Sequence, residues 1–112
     1  METQKTISDW ATNMFGYPTV RKSLQRMFEE IKELEQLIEY EHEEGSVCCT
    51  EAYLENSHTK IADEIADIMI CAYQAMNTLG FDLHACVNHK MEINRHRKWK
   101  LAGDGTGQHV QE

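Results

Sequence analysis

Arg26-Met27-Phe28-Glu29-Glu30-Ile31-Lys32-Glu33-Leu34-Glu35-Gln36-Leu37-Ile38 decides the fold class of this chain. Leu24, Met27, Phe28, Ile31, Leu34 and Ile38 recur at the i, i+3, i+4, i+7 spacing of an amphipathic helix. At ~100° per residue, Glu30 projects between Leu34 and Leu37, inside the apolar arc, with Glu33 at its edge. A later stretch repeats the arrangement. Ile61, Ile65, Ile68, Ala72, Ala75, Met76 and Leu79 form its stripe, Glu64 projects between Cys71 and Ala75, and Asp67 lies on the flank. Two i, i+3 carboxylate pairs, Glu30/Glu33 and Glu64/Asp67, are thus biased inward. An ionised carboxylate facing a core costs several kcal/mol unless paired, and two such pairs on packed helices repel. A divalent cation removes that conflict, and hard Mg²⁺ takes carboxylate oxygens while keeping waters or phosphates as its other ligands. The pattern therefore predicts a Mg²⁺ site between two packed helices. Ordinary surface charge is the plainer reading of a single pair; the inward bias of both pairs argues against it.

Outward from these stretches the chain reads as all-α. A short helix over about Ile7 to Phe15, capped by Ser8 or Thr6, ends at Gly16-Tyr17-Pro18-Thr19. Thr19 caps a long helix to about Glu44, stopped by Gly45. Ser46 to His58 is expected as a loop with at most a helical turn. A third helix spans about Thr59 to Leu79, with Gly80 as its stop, and a fourth runs from an Asp82 cap to about Lys100. Residues 103–112 are Gly-rich and expected as a mobile tail. No strand alternation or repeat is evident.

The 112 residues fit a single domain, 1–112, whose wide apolar stripes call for completion by a homodimer or homotetramer. A net charge of −8 argues against a general nucleic-acid binder. No signal segment or long apolar run is present, so a soluble cytoplasmic protein with no membrane partner is expected. Cys48 and Cys49 are adjacent, and Cys71 and Cys86 fall in helical stripes. None forms a C-x-x-C pair, so zinc and disulfide frameworks have little support.

Helix four adds cations. Leu83, Val87, Lys90, Met91, Asn94 and Arg97 share one line, which turns a lysine, an amide and a guanidinium towards the inward face. Such a row suits a polyphosphate, with Lys as a point charge and Arg as a fork. Arg95, Lys98 and Lys100 are adequately explained by complementing the helix C-terminus. No G-x-x-x-x-G-K-[ST] loop is present.

Glu29-Glu30-Ile31-Lys32-Glu33, Glu64-Ile65-Ala66-Asp67 and the Lys90, Asn94, Arg97 segment resemble the E-E-x-x-E, E-x-x-D and K-x-x-x-N-x-x-R motifs of the MazG-like all-α nucleoside triphosphate pyrophosphohydrolases, over roughly Arg26 to Trp99. The resemblance implies Mg²⁺-dependent hydrolysis of a (deoxy)nucleoside triphosphate to monophosphate and pyrophosphate, with Mn²⁺ able to substitute. It implies metal ligation by Glu30, Glu33, Glu64 and Asp67, with Glu29 as a further ligand or an aid to the attacking water. Lys90, Asn94 and Arg97 would contact substrate. Trp10, Phe15 and Tyr17 lie in the segment that contributes to the nucleobase site in relatives. The chain departs from the pattern in three ways. The gap between the carboxylate motifs is longer, Cys71 stands where dCTP-preferring members carry tyrosine, and Ile31-Lys32 occupies a position often small.

Two other readings remain open. A non-catalytic oligomeric nucleotide-binding module would keep the fold without turnover. A carboxylate-bridged di-iron bundle would use Glu39-x-x-His42 and Glu55-x-x-His58, although Glu55 and His58 lie in the least periodic part of the chain.

Overall fold

A computed structural model of the protein describes the backbone of residues 1–44 and 51–111, and the side chains among these outside 40–55. The elements in order are α1 (Gln4–Phe15), α2 (Val20–Glu44), α3 (Glu51–Leu79), α4 (Leu83–His96), β1 (Trp99–Leu101) and β2 (Gly107–His109). They form two compact units, Met1–Asp82 and Leu83–Glu112.

In the first unit α3 is central, and both α1 and α2 pack on it. Small side chains fill most of the buried centre: Ala11, Cys71 and Ala75 are buried, together with Ser8, Ser23 and Ser57. Met27, Ile31, Leu34 and Leu37 of α2 and Ile61, Ile68 and Met76 of α3 are half-buried around them. The core is narrower than the apolar stripes of the sequence. Leu24, Phe28 and Ile38 on α2 and Ile65, Met69 and Leu79 on α3 are exposed, because three helices cover only one side of each stripe.

Local chemistry sets the helix ends. Thr3, rather than Thr6 or Ser8, caps α1. Its hydroxyl accepts from the Thr6 N–H while the Thr6 hydroxyl accepts from the Thr3 N–H, a reciprocal capping box that starts the helix early. Ser8 is instead buried within the helix. Thr19 caps α2 as expected, accepting from Lys22 N–H at 3.1 Å. The α3 terminus closes with Phe81 N–H to Met76 O at 3.0 Å and Gly80 N–H to Asn77 O at 3.1 Å, around Gly80 at φ 83°. This is a Schellman ending, which needs a left-handed residue at that place. Gln4 Nε2 donates to Phe81 O and Thr78 Oγ1 to Pro18 O, tying α1 and the following turn to the end of α3.

Two expectations are corrected. Residues 51–58, expected as loop, are the first turns of α3; Glu, Ala and Leu are good helix formers, and weak periodicity does not prevent a helix. The expected Gly45 stop, with Cys48 and Cys49, lies outside the described residues. The second correction concerns the tail. α4 ends at His96, and Trp99–Leu101 pairs antiparallel with Gly107–His109, where a longer helix and an unstructured tail were expected. The intervening turn is held by Asp104 Oδ1, which accepts from Thr106 N–H at 3.0 Å and from Thr106 Oγ1 at 2.6 Å. A Cβ on Gly107 would lie 2.9 Å from Lys100 O, so glycine there permits the close strand pairing. Trp99 Nε1 donates to Asn94 O, and the ring meets His109 edge-on at 6.2 Å. Among the described residues no helix is long and apolar enough to cross a membrane.

Candidate active site

The packing of α2 on α3 brings the two carboxylate motifs together. Glu30, Glu33 and Glu64 each place one oxygen within 4.8 Å of the others. Glu30 is 5% exposed, Glu64 is half-buried and Glu33 is exposed, so the cluster opens from the helix contact towards solvent. Glu64 Oε2 is buried with no hydrogen-bond partner. An acceptor left so is costly, and it suits a ligand that an apolar neighbour cannot replace. Burial, first, then a proton shared with Glu64, and then the charges of Glu64 and Asp67 push the Glu30 carboxyl up, while Arg26 opposes the shift. Three converging carboxylate oxygens, on residues that include the orphaned Glu64 Oε2, are a hard donor set that fits a divalent cation.

Arg26, one turn earlier on α2, reaches Glu29 and, within the cluster, Glu30. Its Nη2 is 2.7 Å from Glu30 Oε1 and its Nη1 is 3.1 Å from Glu29 Oε2. Asp67 lies outside the three-oxygen cluster and is exposed. It lines an adjoining pocket of about 520 Å³ with Trp10, Phe15, Arg26, Glu30, Ile70, Cys71 and Gln74. Trp10 and Phe15 of α1 meet edge to face at 5.7 Å and form its aromatic wall. Tyr17 does not line this pocket; with Ser8, Thr12 and Gln74 it borders a neighbouring cleft of about 280 Å³. Burial and then the Glu30 charge push the Cys71 thiol up, away from a thiolate, so Cys71 shapes the wall without supplying a nucleophile.

The second unit carries the remaining residues. Asn94 and Arg97 are half-buried, and Asn94 Oδ1 is buried without a partner. Lys90 is exposed, as are Val87 and Met91, so the sequence-based inward line is corrected. The half-buried face of α4 instead passes through Leu83, Cys86, Ile93 and Asn94, and the half-buried Arg97 follows just past the helix end. Arg26 and Gln74 were missed by sequence reading. The i, i+4 spacing of Arg26 to Glu30 was a legible signal; nothing local marks Gln74. Of the di-iron pattern, His42 and Glu55 lie outside the described side chains.

No protein-family model matches the chain. Over 109 residues, 97% of its length, it is 31% identical to a dATP/dGTP diphosphohydrolase of Salmonella phage PMBT28, of which it covers 31%. It is 36% identical over 47 residues to a dATP/dGTP diphosphohydrolase of Cyanophage S-2L, covering 42% of this chain and 45% of that protein. The chain thus spans less than half the length of these curated relatives. A solved structure of the Cyanophage S-2L MazG-like pyrophosphohydrolase, bound to dGDP and three catalytic Mn²⁺ ions per active site, superposes with a TM-score of 0.67 at 24% identity. The match covers 97% of this chain and 90% of that one. The fold is the MazG-like helical fold.

Proposed function

We propose that this chain is a nucleoside triphosphate pyrophosphohydrolase that converts a (deoxy)nucleoside triphosphate to the monophosphate and pyrophosphate. The observation that carries this reading is the convergence of Glu30, Glu33 and Glu64 oxygens beside a pocket walled by Trp10 and Phe15. Carboxylates for a cation and an aromatic wall for a base are the two ends of a nucleotide site. The names of the phage relatives support this reading and make dATP and dGTP the first substrates to test.

Glu30, Glu33 and Glu64 hold the cation, with Asp67 at the pocket margin as a fourth ligand and Glu29 as an aid to the attacking water. Mg²⁺ is the proposed resident ion, with Mn²⁺ as a substitute, as the Mn²⁺ in the phage structure supports. Such an ion supplies neutralisation of the triphosphate and a bound water of lowered pKa. Water adds to the α-phosphorus as the bond to the bridging oxygen breaks, and pyrophosphate leaves. Trp10 and Phe15 stack on the base, and Tyr17 borders the neighbouring cleft. Lys90, Asn94 and Arg97 contribute phosphate or sugar contacts. The biological task is nucleotide-pool housekeeping, carried out by a homodimer or homotetramer in the cytoplasm, without nucleic-acid or membrane partners.

The test is pyrophosphate release from canonical and modified NTPs and dNTPs, with and without Mg²⁺ or Mn²⁺, beside Glu64→Gln. Metal-dependent monophosphate and pyrophosphate, lost in the variant, is the expected result. Nucleotide binding without turnover would overturn it in favour of a binding module.

A further inference from the structure

Among the described residues Arg26 is the one cation lining the aromatic pocket, and it reaches that pocket from beside the carboxylate cluster. Its guanidinium forks onto Glu29 Oε2 and Glu30 Oε1. The two ends of the Arg26–Glu30 pair differ sharply: the Arg26 side chain is 61% exposed and the Glu30 side chain 7%. A pair whose cation stands in solvent holds its geometry weakly. Glu30 also belongs to the three-carboxylate cluster. Glu30 therefore serves both the guanidinium, through Oε1, and the carboxylate set that would hold a cation. The exposed guanidinium, with five N–H donors, keeps donors to spare for a polyphosphate that reaches the pocket.

We propose that Arg26 is a substrate-binding residue: anchored on Glu29 and Glu30 at the pocket wall, its guanidinium grips the phosphate chain of the nucleotide held beside the carboxylates. The inference rests on the hydrolase reading above. The guanidinium offsets repulsion among Glu29, Glu30 and the neighbouring carboxylates. Its planar fork also matches two phosphate oxygens, a geometry that a lysine ammonium cannot reproduce.

Titration calorimetry with non-hydrolysable α,β-methylene analogues of dATP and dGTP in Mn²⁺, and with Mn²⁺ alone, tests this on wild type, Arg26→Gln and Arg26→Lys. Mildly alkaline pH keeps proton competition at the carboxylates small. Arg26→Gln should weaken analogue binding about tenfold or more, with Arg26→Lys in between. Mn²⁺ alone should bind Arg26→Gln no more weakly than wild type. A purely structural ion pair would alter melting temperature and leave analogue affinity unmoved. Analogue affinity in Arg26→Gln within about threefold of wild type overturns the proposal. So does a parallel loss of Mn²⁺ binding, which would make Arg26 a positioner of the carboxylates. Wild type that binds Mn²⁺ but neither analogue removes dATP and dGTP as substrates and this proposal with them, whereas a tight wild type with an undiminished variant removes this proposal alone.

Discussion

Glu30 on α2 and Glu64 on α3 meet across the helix contact, with one oxygen of each, and one of Glu33, inside a 4.8 Å cluster. Like charges this close destabilise the metal-free fold, and burial makes the cost larger for Glu30. Replacing either by glutamine keeps the shape and removes a charge. Glu30→Gln and Glu64→Gln should therefore retain helical circular dichroism, with a metal-free melting temperature equal to or above wild type. The same variants should lose turnover on the order of a thousandfold, because metal-ion catalysis supplies several kcal/mol. Wild-type rates in either variant would remove the site assignment.

Ligand linkage gives a second check on the same carboxylates. A cation that binds only the folded site, at about a hundred times its Kd, adds ~2.7 kcal/mol. For a domain of this size that is a rise of roughly 10 °C or more in melting temperature. Mn²⁺ should produce such a rise in wild type, EDTA should reverse it, and Glu30→Gln should show little of it. An equal rise in that variant would place the ion elsewhere.

The helical fold and the carboxylate cluster were legible in the sequence because each rests on short-range spacing. Thr19 and Gly80 mark helix ends by their own chemistry, and Glu30 and Glu64 betray their burial by falling inside apolar arcs. Features that depend on distant partners were not legible. The aromatic pocket needs α1 laid on α3, which no local pattern specifies. Residues 51–58 lack a strong stripe and still form helix. The terminal hairpin was hidden by glycines that read as disorder; Asp104-Gly105 is a turn signal, but Gln108-His109-Val110 offers no apolar alternation to match Trp99-Lys100-Leu101. α4 was misread in rotation. Its half-buried face runs through Cys86 and Ile93, leaving Val87 and Met91 outside.

The hairpin turn should respond to acid. Hydrogen bonds from the Thr106 hydroxyl and then the Thr106 N–H hold the Asp104 carboxyl below the usual aspartate range. A depressed folded pKa means the stabilisation is present above the ordinary aspartate value and is lost as pH falls through the folded one. The Thr106 amide resonance should thus hold its shift at neutral pH and move towards its unstructured position below about pH 4. Asp104→Ala should show the open position throughout. A Thr106 resonance that ignores pH in wild type would refute the turn.

Assembly is expected from what the first unit leaves uncovered. Phe28 is 58% exposed and Leu24 50% on α2, and Ile65 on α3 is 49% exposed, so each helix carries apolar surface beyond its partner. Lys32 Nζ lies 4.7 Å over the Phe28 ring, which shields one face of it and leaves the rest open. A second copy of the chain is the occupant we expect. Light scattering at micromolar concentration should then give a mass at least twice the 13.0 kDa of the chain. Because the chain carries a net charge of −8, two copies repel at long range, and moderate salt should strengthen the association by screening that repulsion. Phe28→Glu with Ile65→Glu should shift the protein towards monomer while keeping its helical content. A sharp wild-type monomer across this range of salt would overturn the expectation.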